Sequence, residues 1–204
     1  MLEIRPFRPV DLEELYAISL ETGHEGCDAS HLYEDRKLIG HIYSAPYAVL
    51  EPDLALVAED EIGVAGFALG TLDTKSWRER LEADWWPKLR REYADPGATP
   101  SSDWSADQRR AFAIHHPESP PHEVIKAYPA HLHVNLRARI QGRSVGALLV
   151  SEWMTRVQRH GAVAVHVGVN RANERALRFW SNQGFARLSS GHSEAGRTIW
   201  MGRR

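Results

Sequence analysis

The sequence predicts a layered α/β fold, and three observations predict it. The last third reads strand, helix, strand, helix and two short strands. The amino-terminal part opens with a strand followed by an amphipathic helix. The composition, 43% hydrophobic and 25% charged over 204 residues, is that of an ordinary globular core. A chain of this length buries roughly 70% of the surface its unfolded form exposes, so one domain over residues 1–204 needs no staple. Cys27 is the only cysteine, which rules out an intramolecular disulfide and a multi-thiolate zinc site. The net charge of -2 supplies no basic field for nucleic acid. The first residues carry acids where a signal peptide would be apolar, and no apolar run approaches a membrane span. The expectation is a cytoplasmic protein that uses neither membrane nor nucleic acid.

Residues 2–7 alternate and are β-compatible. Pro9 and Asp11 then open a helix whose apolar positions Leu12, Leu15 and Ile18 recur at helical spacing, with Gly23 as its stop. A weaker helical stretch covers 30–43. Residues 53–59 and 64–72 read as a hairpin around Asp60-Glu61-Ile62-Gly63. Between Thr74 and Pro129 the chain carries six prolines and four of the seven tryptophans, Trp77, Trp85, Trp86 and Trp104. A linker would lack those aromatics, so this is an insertion with short helices near 77–93, 106–114 and 122–128. Residues 130–136 form a strand, and 145–160 an amphipathic helix ended by Gly161. Next come a nearly all-apolar buried strand at 163–169 and a helix at 172–183 ended by Gly184. Short strands at 185–188 and 198–201 close the chain.

The segment between Leu136 and Val145 leaves a strand and enters a helix with small residues at Gly142, Ser144 and Gly146. Small residues let a ligand approach the backbone, and the free N–H groups of a helix start favour an anion such as a pyrophosphate. Arg137, Arg139 and Arg143 would add charge-assisted donors. A turn whose glycines only satisfy geometry is the simpler reading. The segment matches neither G-x-x-x-x-G-K-[ST] nor G-x-G-x-x-G, which argues against nucleotide hydrolysis and NAD chemistry.

Here the sequence resembles the GCN5-related N-acetyltransferase (GNAT) family, whose pyrophosphate loop reads [QR]-x-x-G-x-[GA]. Gln141, Ser144 and Gly146 occupy those positions, with Ser144 where the family usually has glycine. Asn173-x-x-Ala176-x-x-Phe179-Trp180-x-x-x-Gly184-Phe185 resembles a second family motif, and Ile4-Arg5-Pro6-Phe7 with Asp11-Leu12 the first strand and helix. Gly66 to Asp73, Trp86-Pro87 with Tyr93, and Ala176 to Trp180 are similar to the C-terminal acetyltransferase-like domain of O-GlcNAc hydrolases. The resemblance implies a central mixed, mostly antiparallel twisted sheet with helices on both faces and a helical insertion, about 74–129, between the third and fourth strands. It implies acetyl-CoA as cofactor, with CoA as product. A primary amine would be acetylated by direct attack in a ternary complex, and a homodimer is a possible state. By the same resemblance Val134, Asn135 and Leu136 serve the pantetheine arm, and Gln141, Gly142, Arg143, Ser144, Val145, Gly146 and Ala147 the pyrophosphate. Asn173 and Trp180 would complete the cofactor site.

The family commonly has a tyrosine at the position of Trp180 to protonate the departing thiolate, which an indole cannot do at neutral pH. Trp180 also reads simply as a core aromatic. For a base, strand alternation puts His131, His133 and Asn135 on one face and Leu132, Val134 and Leu136 on the other. His133 is the first candidate, because histidine titrates near neutrality. A hydrogen-bonded structural histidine is the competing reading. Asp73 is the second candidate, although a carboxylate before a helix commonly caps it. His115, His116, His122, His131 and His133 invite a metal, but no HExxH or cysteine cluster accompanies them, so none is expected. Trp85, Trp86 and Tyr93 could floor an acceptor pocket or pack a small core of the insertion. The rival reading is a GNAT-like module, weak or inactive in catalysis, that holds CoA, a protein or a glycan.

Overall fold

The computed structural model describes residues 2–189 and 196–204. Among these, a seven-stranded sheet runs β1 (Glu3–Pro6), β2 (Leu56–Asp60), β3 (Gly63–Thr71), β4 (Ala130–Leu136), β5 (Val165–Asn170), β7 (Thr198–Arg203) and β6 (Ala186–Arg187) from edge to edge. All neighbours are antiparallel except β4 and β5. The expected mixed, mostly antiparallel α/β sheet is therefore present, with its insertion between the third and fourth strands.

Helix α1 (Leu12–Glu21) packs on one face through Leu15 and Ile18, as its spacing predicts. Its start is tied to β1 because Arg5 donates to both oxygens of Asp11, at 2.7 and 2.8 Å, while Arg8 N–H donates to Asp11 Oδ2. The next helical stretch is shorter than expected and divided. Residues 30–37 are turns and bends, α2 covers Leu38–Tyr43, and α3 covers Ala45–Leu50. Ser44 sits at φ -136° between them and Pro46 lies in the first turn of α3, where its missing N–H has no partner to lose.

The insertion contains α4 (Thr74–Arg80), a π-helical turn at Leu81–Trp85, α5 (Trp86–Glu92), α6 (Ala106–His115) and α7 (His122–Ala127). It does not build a core of its own. Trp77, Leu81, Trp86, Leu89 and Ile114 join Leu15, Ile18, Tyr47, Phe67 and Leu69 in one apolar cluster. Sharing the sheet face lets a segment of this size bury its aromatics without a second domain centre. Burial of each large apolar side chain contributes about 1.5–3 kcal/mol.

The opposite face carries α8 (Val145–Arg159) and α9 (Glu174–Asn182). Leu149, Trp153 and Val157 of α8 meet Leu132, Val165 and Val167 from the sheet. Trp153 is fully buried, and its indole donates to Leu54 O at 2.9 Å. No helix among the described residues is long and apolar enough to cross a membrane.

Strands β4 and β5 pair only at Ala130↔Val165 and His131↔His166, after which they separate. On its other side β4 stays paired with β3 as far as Leu136. Half of one internal strand is thus left with an open flank.

Candidate active site

Ala130 N–H donates toward β5, to Ala164 O, whereas Arg137 N–H donates toward β3, to Ala65 O. Backbone direction alternates along a strand, so Val134 and Leu136 present their N–H groups to the gap beside β5. Asn135 does not. Its backbone faces β3 opposite Phe67, and its side-chain Nδ2 donates to Thr22 Oγ1 at 2.6 Å. Of the three residues assigned to the pantetheine arm, the alternation leaves Val134 and Leu136 in position and turns Asn135 away.

The open flank ends at the loop into α8. Gln141 Nε2 donates to Leu136 O at 2.6 Å and fastens the loop to the strand. Gly142 has φ +73°, and no heavy atom lies within 4 Å of where a Cβ would stand, so the left-handed backbone is what requires glycine there. Ser144 is also left-handed, at φ +61°, immediately before the first residue of α8. That conformation explains why glycine suits this place. The first-turn N–H groups of Val145, Gly146 and Ala147 have no acceptor within the helix. A Cβ at Gly146 would stand 3.0 Å from Phe179 Cε2 and 3.3 Å from Leu136 Cδ1, so this glycine also sets how closely α8 approaches α9.

The three arginines separate. Arg137 donates to Glu14, Glu21 and Val64 O, and Arg139 donates to Asp60 and Gly63 O. Arg139 holds the Asp60 carboxyl down to about 2. Both guanidinium groups are engaged by the protein's own acceptors, while Arg137 also lines the cleft beside the loop. Arg143 is exposed, with no ion pair among the described residues. Beside the loop lies a cleft of about 340 Å³ lined by Glu21, Thr22, Gly26, Cys27 and Gln141 among others.

Asn173 caps α9, its Oδ1 accepting from Ala176 N–H at 2.9 Å. Trp180 is 7% exposed and packs edge-on against Phe179 and Phe185. It falls on the inward stripe of an amphipathic helix, so it packs as a core residue.

On the α1 side of β4 the predicted alternation holds. His131 Nε2 lies 2.7 Å from the Tyr47 hydroxyl, and His131 Nδ1 lies 2.7 Å from Thr74 Oγ1. His133 Nε2 lies 3.2 Å from the same Tyr47 hydroxyl. Burial pushes His133 down to about 4 and His131 well below its ordinary value, so both are neutral at pH 7. Burial raises the Tyr47 phenol, which stacks on Trp77 at 4.4 Å. The half-exposed Tyr43 ring lies 6.3 Å from the His133 ring.

Asp73 accepts from Ser76 N–H at 2.8 Å and from Ser76 Oγ at 2.9 Å. The bond from Ser76 N–H lowers its carboxyl, and Asp73 caps α4. Trp85 Nε1 donates to His41 O, Tyr93 donates to Asp35, and Trp86 is core. Trp85 and Tyr93 tie the insertion to α2 and to the turn before it, and Trp86 packs in the shared core. His116 pairs with Asp95, and His115 bonds Tyr93 O. Among the described residues no group of three or more His, Cys, Asp or Glu is placed to hold a metal ion.

Sequence reasoning missed Tyr47 and Thr74. The only available signal was Ser44-Ala45-Pro46, a helix start that would have put Tyr47 on a helix without naming its partners.

No family model matches the chain. It is 23% identical over 182 residues to Protein O-GlcNAcase of Rattus norvegicus and 24% over 187 residues to that of Mus musculus. These alignments cover 89% of this chain and 20% of each relative, so the chain spans about a fifth of the length of the curated relatives it matches. The crystal structure of SsHAT is 33% identical, with TM-score 0.89, over 99% of this chain and 97% of that one. PaiA N-acetyltransferase from Thermoplasma acidophilum, solved in complex with coenzyme A, is 15% identical with TM-score 0.59, over 100% and 99% of the two chains. At that identity the likeness is one of fold.

Proposed function

The chain belongs to the GCN5-related N-acetyltransferase superfamily, and we propose that residues 1–204 act as one acetyltransferase domain that moves an acetyl group from acetyl-CoA to a primary amine. The observation that carries this reading is the open flank of β4, which runs without interruption into the donor-rich loop before α8. The residues fit the cofactor by chemistry. Val134 and Leu136 offer N–H groups along an extended chain of amides, and residues 142–147 offer N–H groups and a helix start to two phosphates. Arg143 adds charge at the loop. Asn173 has its Nδ2 left for donation once Oδ1 has capped α9.

Bound there, acetyl-CoA supplies a thioester carbon open to attack by an amine and a sulfur that departs with the bonding pair. The amine must arrive neutral and lose one proton once the C–N bond has formed. His133 takes that proton, because it is neutral at pH 7, only partly buried and on β4 beyond the last residue paired with β5. Lowered to about 4 it is a weak base, so the transfer follows C–N bond formation, when the nitrogen is cationic. Trp180 has no ionisable proton and lies in the core, so it would leave protonation of a departing sulfur to water. Solved neighbours that carry coenzyme A on this fold support the cofactor assignment. The binding-module rival needs an aromatic surface, and Trp77, Trp85, Trp86 and Tyr93 are used in packing or hydrogen bonds.

Release of free thiol from acetyl-CoA tests the proposal against a panel of lysine peptides, amino acids and amino sugars. The expectation is turnover with at least one amine and a loss of about 100-fold in kcat for His133→Gln, with an unchanged thermal midpoint. Wild-type activity retained in that variant would remove His133 as the base. No amine-dependent thiol release in the wild type would overturn catalysis itself.

A further inference from the structure

We infer that Thr74, His131 and Tyr47 are positioning residues that hold His133 as the Nε2–H tautomer and leave its Nδ1 as the proton acceptor. The inference deepens the reading of His133 as base and rests on it. It follows from counting hydrogens along one chain of contacts, starting at a group whose role is fixed.

The Pro129 carbonyl can only accept. It receives Thr74 N–H at 2.8 Å and Thr74 Oγ1–H at 2.7 Å. The hydroxyl has one hydrogen, so toward His131 Nδ1, 2.7 Å away, Thr74 Oγ1 must accept. His131 therefore carries its hydrogen on Nδ1. It is buried, and its ring neighbours are Tyr47, His133 and His166, with no carboxylate partner among the described residues. A cation in that setting is unfavourable, so the ring is neutral and Nε2 bears a lone pair. That lone pair receives the Tyr47 hydroxyl hydrogen at 2.7 Å. The phenol has then used its one hydrogen and can only accept from the other histidine. The 3.2 Å contact with His133 Nε2 thus requires a hydrogen on Nε2. A neutral imidazole so arranged keeps its lone pair on Nδ1, and no hydrogen-bond partner for that atom exists among the described residues.

The physical value of the arrangement is that a base must present its lone pair at a defined atom, and free histidine divides itself between two neutral tautomers. Here a carbonyl fixes the choice through three intervening side chains. The chain also accounts for two buried polar residues, Thr74 and His131, that would otherwise cost stability where they lie.

Long-range proton–nitrogen spectra of the imidazole rings in uniformly 15N-labelled protein at pH 7 test the assignment without a substrate. The expected spectrum shows hydrogen on Nδ1 of His131 and on Nε2 of His133, each opposite nitrogen having the downfield shift of a lone pair. The reverse assignment, or averaged nitrogens at His133, overturns the inference. Tyr47→Phe keeps the ring stacked on Trp77 and removes the hydroxyl. Its expected effect is loss of the single tautomer at His133, so an unchanged His133 spectrum in a folded variant also overturns it. Because the wild-type spectrum needs no variant and no turnover, failure of His133 as base, read by His133→Gln, is distinguishable from failure of the relay.

Discussion

Strand β4 shows two different kinds of site on one short segment. Toward β5 it offers backbone, because Val134 and Leu136 turn their N–H groups into a gap that no neighbouring strand fills. Toward α1 and α3 it offers side chains, because His131 and His133 reach Tyr47 and Thr74 from elements far away in sequence. The backbone site depends on shape and on left-handed or small residues. The side-chain site depends on which atom holds a hydrogen. Mutations should therefore separate binding from proton transfer, and the same logic should separate arginines used for binding from those used for folding.

The largest expected effect is on binding. Ser144→Asp puts a carboxylate at the mouth of α8 where phosphates are proposed to sit. Loss of charge-assisted bonds there is worth about 1.5–3 kcal/mol, so affinity for acetyl-CoA should fall roughly 100-fold. The thermal midpoint should hold, and undiminished affinity would move the phosphates elsewhere. Gly146→Ala breaks the separation deliberately. Its Cβ would press on Phe179 at 3.0 Å, so stability should drop by about 1–3 kcal/mol together with affinity. Denaturant melts that match the wild type would show that α8 and α9 can part freely.

Acid should act on the side-chain region. His131, His133 and His166 are all held below their ordinary value of 6.5 by burial, His133 down to about 4. The unfolded chain takes up protons near 6.5 while the folded chain does not, so unfolding releases no protons and binds more of them. The stability these neutral rings contribute is present above pH 6.5 and is lost as pH falls toward 4. A urea midpoint that stayed flat between pH 7 and pH 5 would contradict the burial.

Smaller effects sharpen the contrast within the loop. Ser144→Gly relieves a left-handed serine and should add about 1 kcal/mol of stability with binding retained. An unchanged or lower midpoint would mean that the serine is not strained. Arg143→Ala should weaken acetyl-CoA binding a few-fold and leave the midpoint alone, whereas Arg137→Ala should lower the midpoint with little change in affinity. Equal effects of the two on affinity would return Arg137 to the phosphates, against its bonds to Glu14 and Glu21.

Much of the loop before α8 is legible in the sequence because small residues shape it locally. Gln141, Gly142, Ser144 and Gly146 announce a turn that lets a ligand close to the chain, and all lie within six positions. The alternation of His131, His133 and Asn135 was equally readable, since a strand's period is fixed. What could not be read was the partner of each side chain. Tyr47 comes from a helix 84 residues before His131, behind a break at Ser44 that the apolar spacing does not signal. The fates of Arg137 and Arg139 were hidden for the same reason, as their carboxylates arrive from α1 and from the β2–β3 turn. The role of Asn135 needed the pairing of β4, which decides the side to which each N–H points.

Calorimetric titration of the purified protein with acetyl-CoA, with Ser144→Asp as its paired control, measures whether the flank of β4 and the loop before α8 bind the cofactor. Saturable one-site binding to the wild type and a roughly 100-fold weaker interaction in the variant are expected. Absence of binding to the wild type at millimolar acetyl-CoA would contradict a cofactor site there.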